Sequence, residues 1–151
     1  NFPIVCSNYD CKGTVLEDLV KPYITLKREG VKIGVFALAP ALQGLVFDAN
    51  CQGIIYLDPA ETAQKYIDIL RKQEKCDIVI CISHLGWKES EYTDEMMLKG
   101  IEGCDLVVGG HTHTYMKELQ YAPDKTGKQI PVDQNGKHGA FIGKLLLNLE
   151  K

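Results

Sequence analysis

The sequence is short of several features that would have narrowed its role at once. Its 17 lysines and arginines are scattered, with no arginine-rich run and no basic stripe interleaved with aromatics. Its 20 acids leave a net charge of −3. Such a chain has no electrostatic footprint for a phosphate backbone, so a nucleic-acid polymer is not an expected partner. No apolar run approaches the ~20 residues needed to span a bilayer, so no membrane span is expected. Six cysteines are present, but none forms a C-x-x-C pair. The nearest, Cys6/Cys11 and Cys76/Cys81, have four residues between them, and zinc-ribbon spacing is therefore absent. The thiols leave the redox compartment open, and Cys81, inside an apolar run, reads as a small core hydrophobe. There is no initiator methionine, no charged leader and no signal-like apolar segment. The chain reads as though it starts mid-protein, directly on a strand. Internal repeats, low-complexity tracts and linkers are also missing.

What is present suits one domain, or a large piece of one: 151 residues, 45% of them hydrophobic, can bury a core without staples. Phe2 to Ser7 reads as a short strand. "PYITLKREGVKIGVFALAP" reads as a hairpin that turns near Gly30, where a positive φ is easily adopted. Asp58-Pro59-Ala60-Glu61 has the form of a helix start, with Asp as N-cap, Pro at the first position and Glu at the third. Ala60, Ala63, Tyr66, Ile67 and Leu70 follow at helical spacing, which makes them a core face rather than a cofactor groove, and the helix should stop near Lys75. Asp77 to Ser83 and Leu106 to Val108 read as strands covered on both faces, as parallel strands are. A shorter helix is predicted between Thr93 and Gly100. Tyr115 to Lys151 reads as a β-meander of "MKELQYA", "IPVDQNG" and "AFIGKLLLNLE". The fold class is α/β passing into antiparallel β.

Only four histidines occur, and three stand where apolar runs end: His84 in "CISHLGW", His111 and His113 in "VVGGHTHTY". Residues 85–104 are long enough for a crossover, so the two strands can lie parallel with their C-terminal ends at one sheet edge. Sites in open α/β sheets gather at that edge. Three imidazoles converging there make a candidate metal centre, since neutral imidazole suits zinc, manganese or iron. Gly109 and Gly110 let the backbone approach a substrate or ion closely. Ser83 and His84 are not a catalytic pair, because adjacent strand residues point to opposite faces. His138 has no partner spacing and reads as a loop residue.

"DIVICISHLGW" followed by "GCDLVVGGHTHT" resembles the calcineurin-like metallophosphoesterases, in their 5'-nucleotidase/2',3'-cyclic phosphodiesterase branch. There an S-H-x-G strand end precedes a G-G-H-T-H block, and a stretch like "TGKQIPVDQNGKHGAFIGKLLLNL" closes the domain. "NFPIVCSNYD" is similar to the strand after that family's G-N-H-E motif. The resemblance runs over essentially all 151 residues. It implies part of a β-sandwich flanked by helices, in a four-layer αββα arrangement. It implies His84 and His111 as ligands of one divalent ion, His113 as ligand of the other, and Gly109 and Gly110 as shapers of the loop. The two ions, zinc, manganese or iron, would lie ~3.5–4 Å apart.

The family's D-x-H, G-D-x-x-D and G-N-H motifs do not occur in this sequence. The resemblance therefore implies the C-terminal portion of the catalytic domain over residues 1–151. The upstream half and any nucleoside-binding domain would lie outside it. It places no catalytic residue in this chain, and no Asp or Glu here has a matched role. Alone, the chain is expected to be inactive and poorly metallated. It should expose an apolar sheet edge and face, suited to self-association or to contact with the missing half. The implied parent is a secreted or periplasmic hydrolase of nucleotides or other phosphate esters. The alternative is a non-catalytic interaction module on the same fold. A free-standing metal-sequestration protein is disfavoured, because three neutral ligands leave an ion's charge poorly neutralised.

Overall fold

A computed structural model describes residues 2–149. In chain order it contains β1 (Ile4–Val5), β2 (Tyr9–Asp10), β3 (Val20–Lys21), β4 (Tyr23–Arg28), β5 (Val31–Leu38), β6 (Ile55–Tyr56), α1 (Pro59–Asp68), β7 (Ile78–Ser83), α2 (Asp94–Lys99), β8 (Leu106–Val108), β9 (Gln120–Pro123) and β10 (Gln129–Asp133). The main sheet has the order β4-β5-β7-β8-β10-β9. Its four inner strands run parallel, and the edge strands β4 and β9 are antiparallel to their neighbours. Two small ribbons, β1-β3 and β2-β6, lie outside it. The predicted strand over Phe2 to Ser7 is thus only two residues long and pairs with β3 rather than with the main sheet. The mixed α/β class is as expected.

Local chemistry explains the elements that position the site. The β4–β5 hairpin turns through Glu29 (φ 49) and Gly30 (φ 85); two positive φ angles match the twist of the flanking strands. At α1, the Asp58 side chain accepts a hydrogen bond from the Glu61 N–H at 2.8 Å. Pro59 occupies the first turn, where its missing N–H costs nothing. Ala63, Ile67 and Leu70 are fully buried against Phe36, Val79 and Cys81. Burial of the two larger ones contributes about 1.5–3 kcal/mol each. The α-helical pattern ends at Asp68, earlier than the predicted Lys75, and a π-helical turn at Ile69–Gln73 continues it. Arg71 in that turn donates to the carbonyls of Cys76, Asp77 and Gly103 and pairs with Asp105, tying the helix end to the starts of β7 and β8. The shorter helix forms where predicted, with the Thr93 hydroxyl capping Met96 N–H.

Two expectations need correction. β7 and β8 are parallel neighbours, but they are covered on both faces only along part of their length: Val79, Cys81 and Val107 are buried on one face and Ile78 and Leu106 on the other, where Ile82 and Val108 at the C-terminal ends are exposed. The closing meander has two strands, not three. β10 already pairs with β9 on one side and β8 on the other, so no edge remains there for "AFIGKLLLNLE". Residues 141–149 form no strand, Ile142 and Leu146 are exposed, and the last residue of the predicted strand, Glu150, lies outside the described ones. No helix among the described residues is long and apolar enough to cross a membrane.

Candidate metal centre

The parallel register Ile80↔Leu106, Cys81↔Val107, Ile82↔Val108 brings the C-terminal ends of β7 and β8 to the same edge. One residue beyond β7, the His84 N–H still donates to Leu38 C=O at 2.8 Å. One residue beyond β8, Gly109 N–H donates to Asp133 C=O at 2.7 Å. Each loop therefore leaves its strand with its first backbone group held. The His84 and His111 rings meet edge to face, with centroids 5.2 Å apart. His84 and His113 are exposed and His111 is half-buried. His111 (φ 72) and His113 (φ 54) both adopt the left-handed region, a cost of about 1–3 kcal/mol each for residues that are not glycine. His138 lies in an exposed turn.

The glycines before His111 have different reasons. A Cβ on Gly110 would come within 2.9 Å of His84 Nδ1 and 3.4 Å of Ser83 O. The backbone of one loop thus rests on the imidazole of the other. Gly110→Ala is expected to displace the His84 ring and to cost about 1–3 kcal/mol of stability, read as a shifted His84 imidazole resonance and a lower denaturation midpoint. A Cβ on Gly109 would meet Asp94 Oδ2 at 3.1 Å and Gln134 Nε2 at 3.4 Å.

Those two contacts name residues that sequence reasoning missed. Asp94 is fully buried. Ser83 Oγ donates to one of its carboxylate oxygens and accepts from Leu85 N–H at 3.1 Å. Burial pushes the Asp94 carboxyl up to about 6, a rise that the Ser83 hydrogen bond partly opposes. Gln134, also buried, holds the H-T-H-T loop: its Oε1 accepts from Thr114 N–H at 2.5 Å and from the Thr112 hydroxyl at 3.2 Å. Asp94 reads in sequence as an ordinary first-turn acid of a helix, and Gln134 as one polar residue in a turn. Neither carries a local signal of its contact with the histidine loops.

The donor set fits a divalent cation in kind. Burial, and then the neighbouring His111 and His113, lower the pKa of His84. The neutral ring with a free lone pair, the form a metal takes, is thereby favoured. Among the described residues no three His, Cys, Asp or Glu side chains surround one point. An ion held by the imidazole pair would complete its coordination with oxygen donors from water, substrate or other polypeptide. Beside His111 lies a cavity of about 590 Å³, walled by Leu85, Tyr56, Tyr92 and Pro40 and bordered by the carboxylates of Asp58 and Glu91.

No protein-family model matches the chain. It is 27% identical over 161 residues to the trifunctional nucleotide phosphoesterase protein YfkN of Bacillus subtilis, covering 95% of this chain and 10% of that protein. It is 31% identical over 121 residues to the 5'-nucleotidase of Vibrio cholerae, covering 74% and 22%. The chain thus spans less than a third of the length of these curated relatives. Its fold superposes on the 5'-nucleotidase precursor of Thermus thermophilus with a TM-score of 0.74 at 24% identity, over 88% of this chain and 28% of that one. It superposes on the calcineurin-like phosphoesterase YfkN of Bacillus subtilis with a TM-score of 0.69 at 23% identity, over 90% and 47%. By sequence and by fold, the chain matches the 5'-nucleotidase branch of the calcineurin-like phosphoesterases and spans only part of its relatives' length.

Proposed function

We propose that the chain carries the imidazole side of a dinuclear metal centre in a phosphoesterase that hydrolyses nucleotides or related phosphate esters. The observation that supports this most is the meeting of His84 and His111 at the shared end of two parallel strands, with His113 two residues on. Bound zinc, manganese or iron would polarise the phosphoryl group and activate water. In this reading His84 and His111 hold one ion and His113 the other. Gly109 and Gly110 keep side chains out of the space beside the rings, and the cavity at His111 receives the organic part of the ester. By motif, residues 1–151 correspond to the C-terminal portion of the catalytic domain. The bridging carboxylate and the group assisting the leaving oxygen have no counterpart among them. A secreted or periplasmic location belongs to the same proposal and rests on the family resemblance.

A second reading, a non-catalytic interaction module, draws on the neighbouring exposed apolar side chains Ile82 and Val108 at the ends of β7 and β8, a surface suited to self-association or to another polypeptide. Phosphate release separates the two. The protein that carries this chain is expected to liberate phosphate from a nucleoside monophosphate or an aryl phosphate with manganese, and to stop when the metal is chelated. Absence of metal-dependent turnover on both substrates would favour the interaction module.

A further inference from the structure

The left-handed backbone at His111 and His113 needs something to hold it, and the hydrogen bonds around it lead to one side chain. Gln134 lies immediately after β10 and is 1% exposed. Its Oε1 takes two hydrogen bonds from the loop, one from Thr114 N–H and one from the Thr112 hydroxyl. Thr112 separates the two histidines, and Thr114 follows the second. The Thr112 hydroxyl in turn accepts from Trp87 N–H at 3.2 Å and lies 3.0 Å from Thr114 Oγ1. Trp87 belongs to the loop that begins with His84. Three segments that leave three adjacent parallel strands are thus joined at one carboxamide oxygen.

The other end of the same side chain does nothing comparable. Gln134 Nε2 and the Asp94 Oδ2 that also faces Gly109 are buried without hydrogen-bond partners. An apolar side chain of similar volume would fill the space with no unpaired donor, so packing does not account for a glutamine at this position. What only the amide supplies is the acceptor.

We infer that Gln134 is a positioning residue of the metal centre: its Oε1 fixes the turn that presents His111 and His113 and, through Thr112, registers that turn against the loop of His84. The inference rests on the reading of these histidines as metal ligands, and its test separates the two. Residues that orient metal ligands from one shell further out typically change metal affinity by about 10–100-fold. Gln134→Leu removes the acceptor, Thr112→Val removes the hydroxyl while keeping the shape, and Thr112→Ser restores the hydroxyl.

Zinc affinity by competition with a chromophoric chelator, and the visible spectrum of the cobalt(II) form, are measured on the whole protein that carries this chain. Gln134→Leu and Thr112→Val are each expected to lower zinc affinity about 10–100-fold and to alter the cobalt spectrum, with far-UV dichroism unchanged. Thr112→Ser is expected to behave as wild type, a rescue that general loosening of the fold does not produce. Zinc affinity and cobalt spectrum unchanged in both damaging variants would overturn the inference. Amide exchange in the metal-free protein provides the second arm. Thr114 N–H is expected to exchange faster in Gln134→Leu and Thr112→Val than in wild type, while β5 and β7 keep their protection. Equal exchange of Thr114 overturns the inference, and so does faster exchange everywhere. Failure of the wild-type whole protein to bind zinc at all, with Thr114 exchange still dependent on Gln134, would overturn the ligand reading and leave the loop-positioning role standing.

Discussion

Replacing His111 with alanine is expected to weaken zinc or manganese binding by at least about a hundredfold, because changes one shell beyond the ligands already cost about 10–100-fold. His111 is the half-buried member of the ring pair and the only one of the three histidines that both touches another imidazole and borders the cavity. Its removal also takes away one of the two neighbours that disfavour a positive charge on His84, so the His84 imidazole should titrate closer to its ordinary range. In the whole protein that carries this chain, His113→Ala, which removes a ligand assigned to the other ion, is expected to reduce the stoichiometry of binding rather than abolish it. His138→Ala, in an exposed turn, should leave binding untouched. Calorimetric titration of the four proteins with zinc decides among these outcomes. Wild-type affinity in His111→Ala would show that the strand-end histidines hold no ion.

Stability between pH 4 and pH 7 should carry the signature of Asp94. Its carboxyl sits at about 6 in the folded chain against 3.8 when free, principally because burial disfavours its charge. Below about pH 4 both states hold the proton and the group contributes no penalty. Between about 4 and 6 the unfolded chain gives up its proton first, so folding becomes less favourable as pH rises. Above about 6 the full cost is in force, roughly 3 kcal/mol from the separation of the two values. Asp94→Asn keeps an acceptor for the Ser83 hydroxyl and removes the titration. The difference in unfolding free energy between wild type and Asp94→Asn, taken from urea melts at pH 4.5 and pH 7.5, is therefore expected to favour the variant more at the higher pH. Other carboxylates such as Glu74 and Asp68 pull the opposite way, which is why the difference between the two proteins, not the wild-type curve, is the observable. A pH-independent difference would mean that Asp94 is charged in the folded state.

Much of the frame around the site was legible without coordinates. Asp58-Pro59 begins a helix because a carboxylate and a proline each answer the unsatisfied N–H groups of a first turn. The β4–β5 hairpin follows from its alternating strand, its apolar return and a turn residue tolerant of positive φ. The adjacency of His84 and His111 followed from a topological argument: two apolar strands, a connection of crossover length, and hence a shared C-terminal edge. These are local patterns, or rules that need only the order and length of elements.

Tertiary structure decided what depends on how distant surfaces meet. The third meander strand fails because β10 has a neighbour on each side, a matter of sheet order that strand propensity cannot express. Ile82 and Val108 are as apolar as Ile78 and Leu106 on the same face, yet they are exposed while those two are buried, because cover on that face gives out at the strand ends. The left-handed backbone at His111 and His113 defies the preferences of both residues and persists where Gln134, some twenty positions away, supplies the acceptor for Thr112 and Thr114. Asp94 is a helix-starting acid in sequence and, in space, a buried carboxyl whose pKa burial raises, because folding packs it beside Ser83 and Gly109. The sequence by itself determined which residues could do chemistry and at which sheet edge they collect, since periodicity and connection length act along the chain. Their orientation, protonation and support came from tertiary packing, because hydrogen bonds and desolvation depend on neighbours that only the folded chain provides.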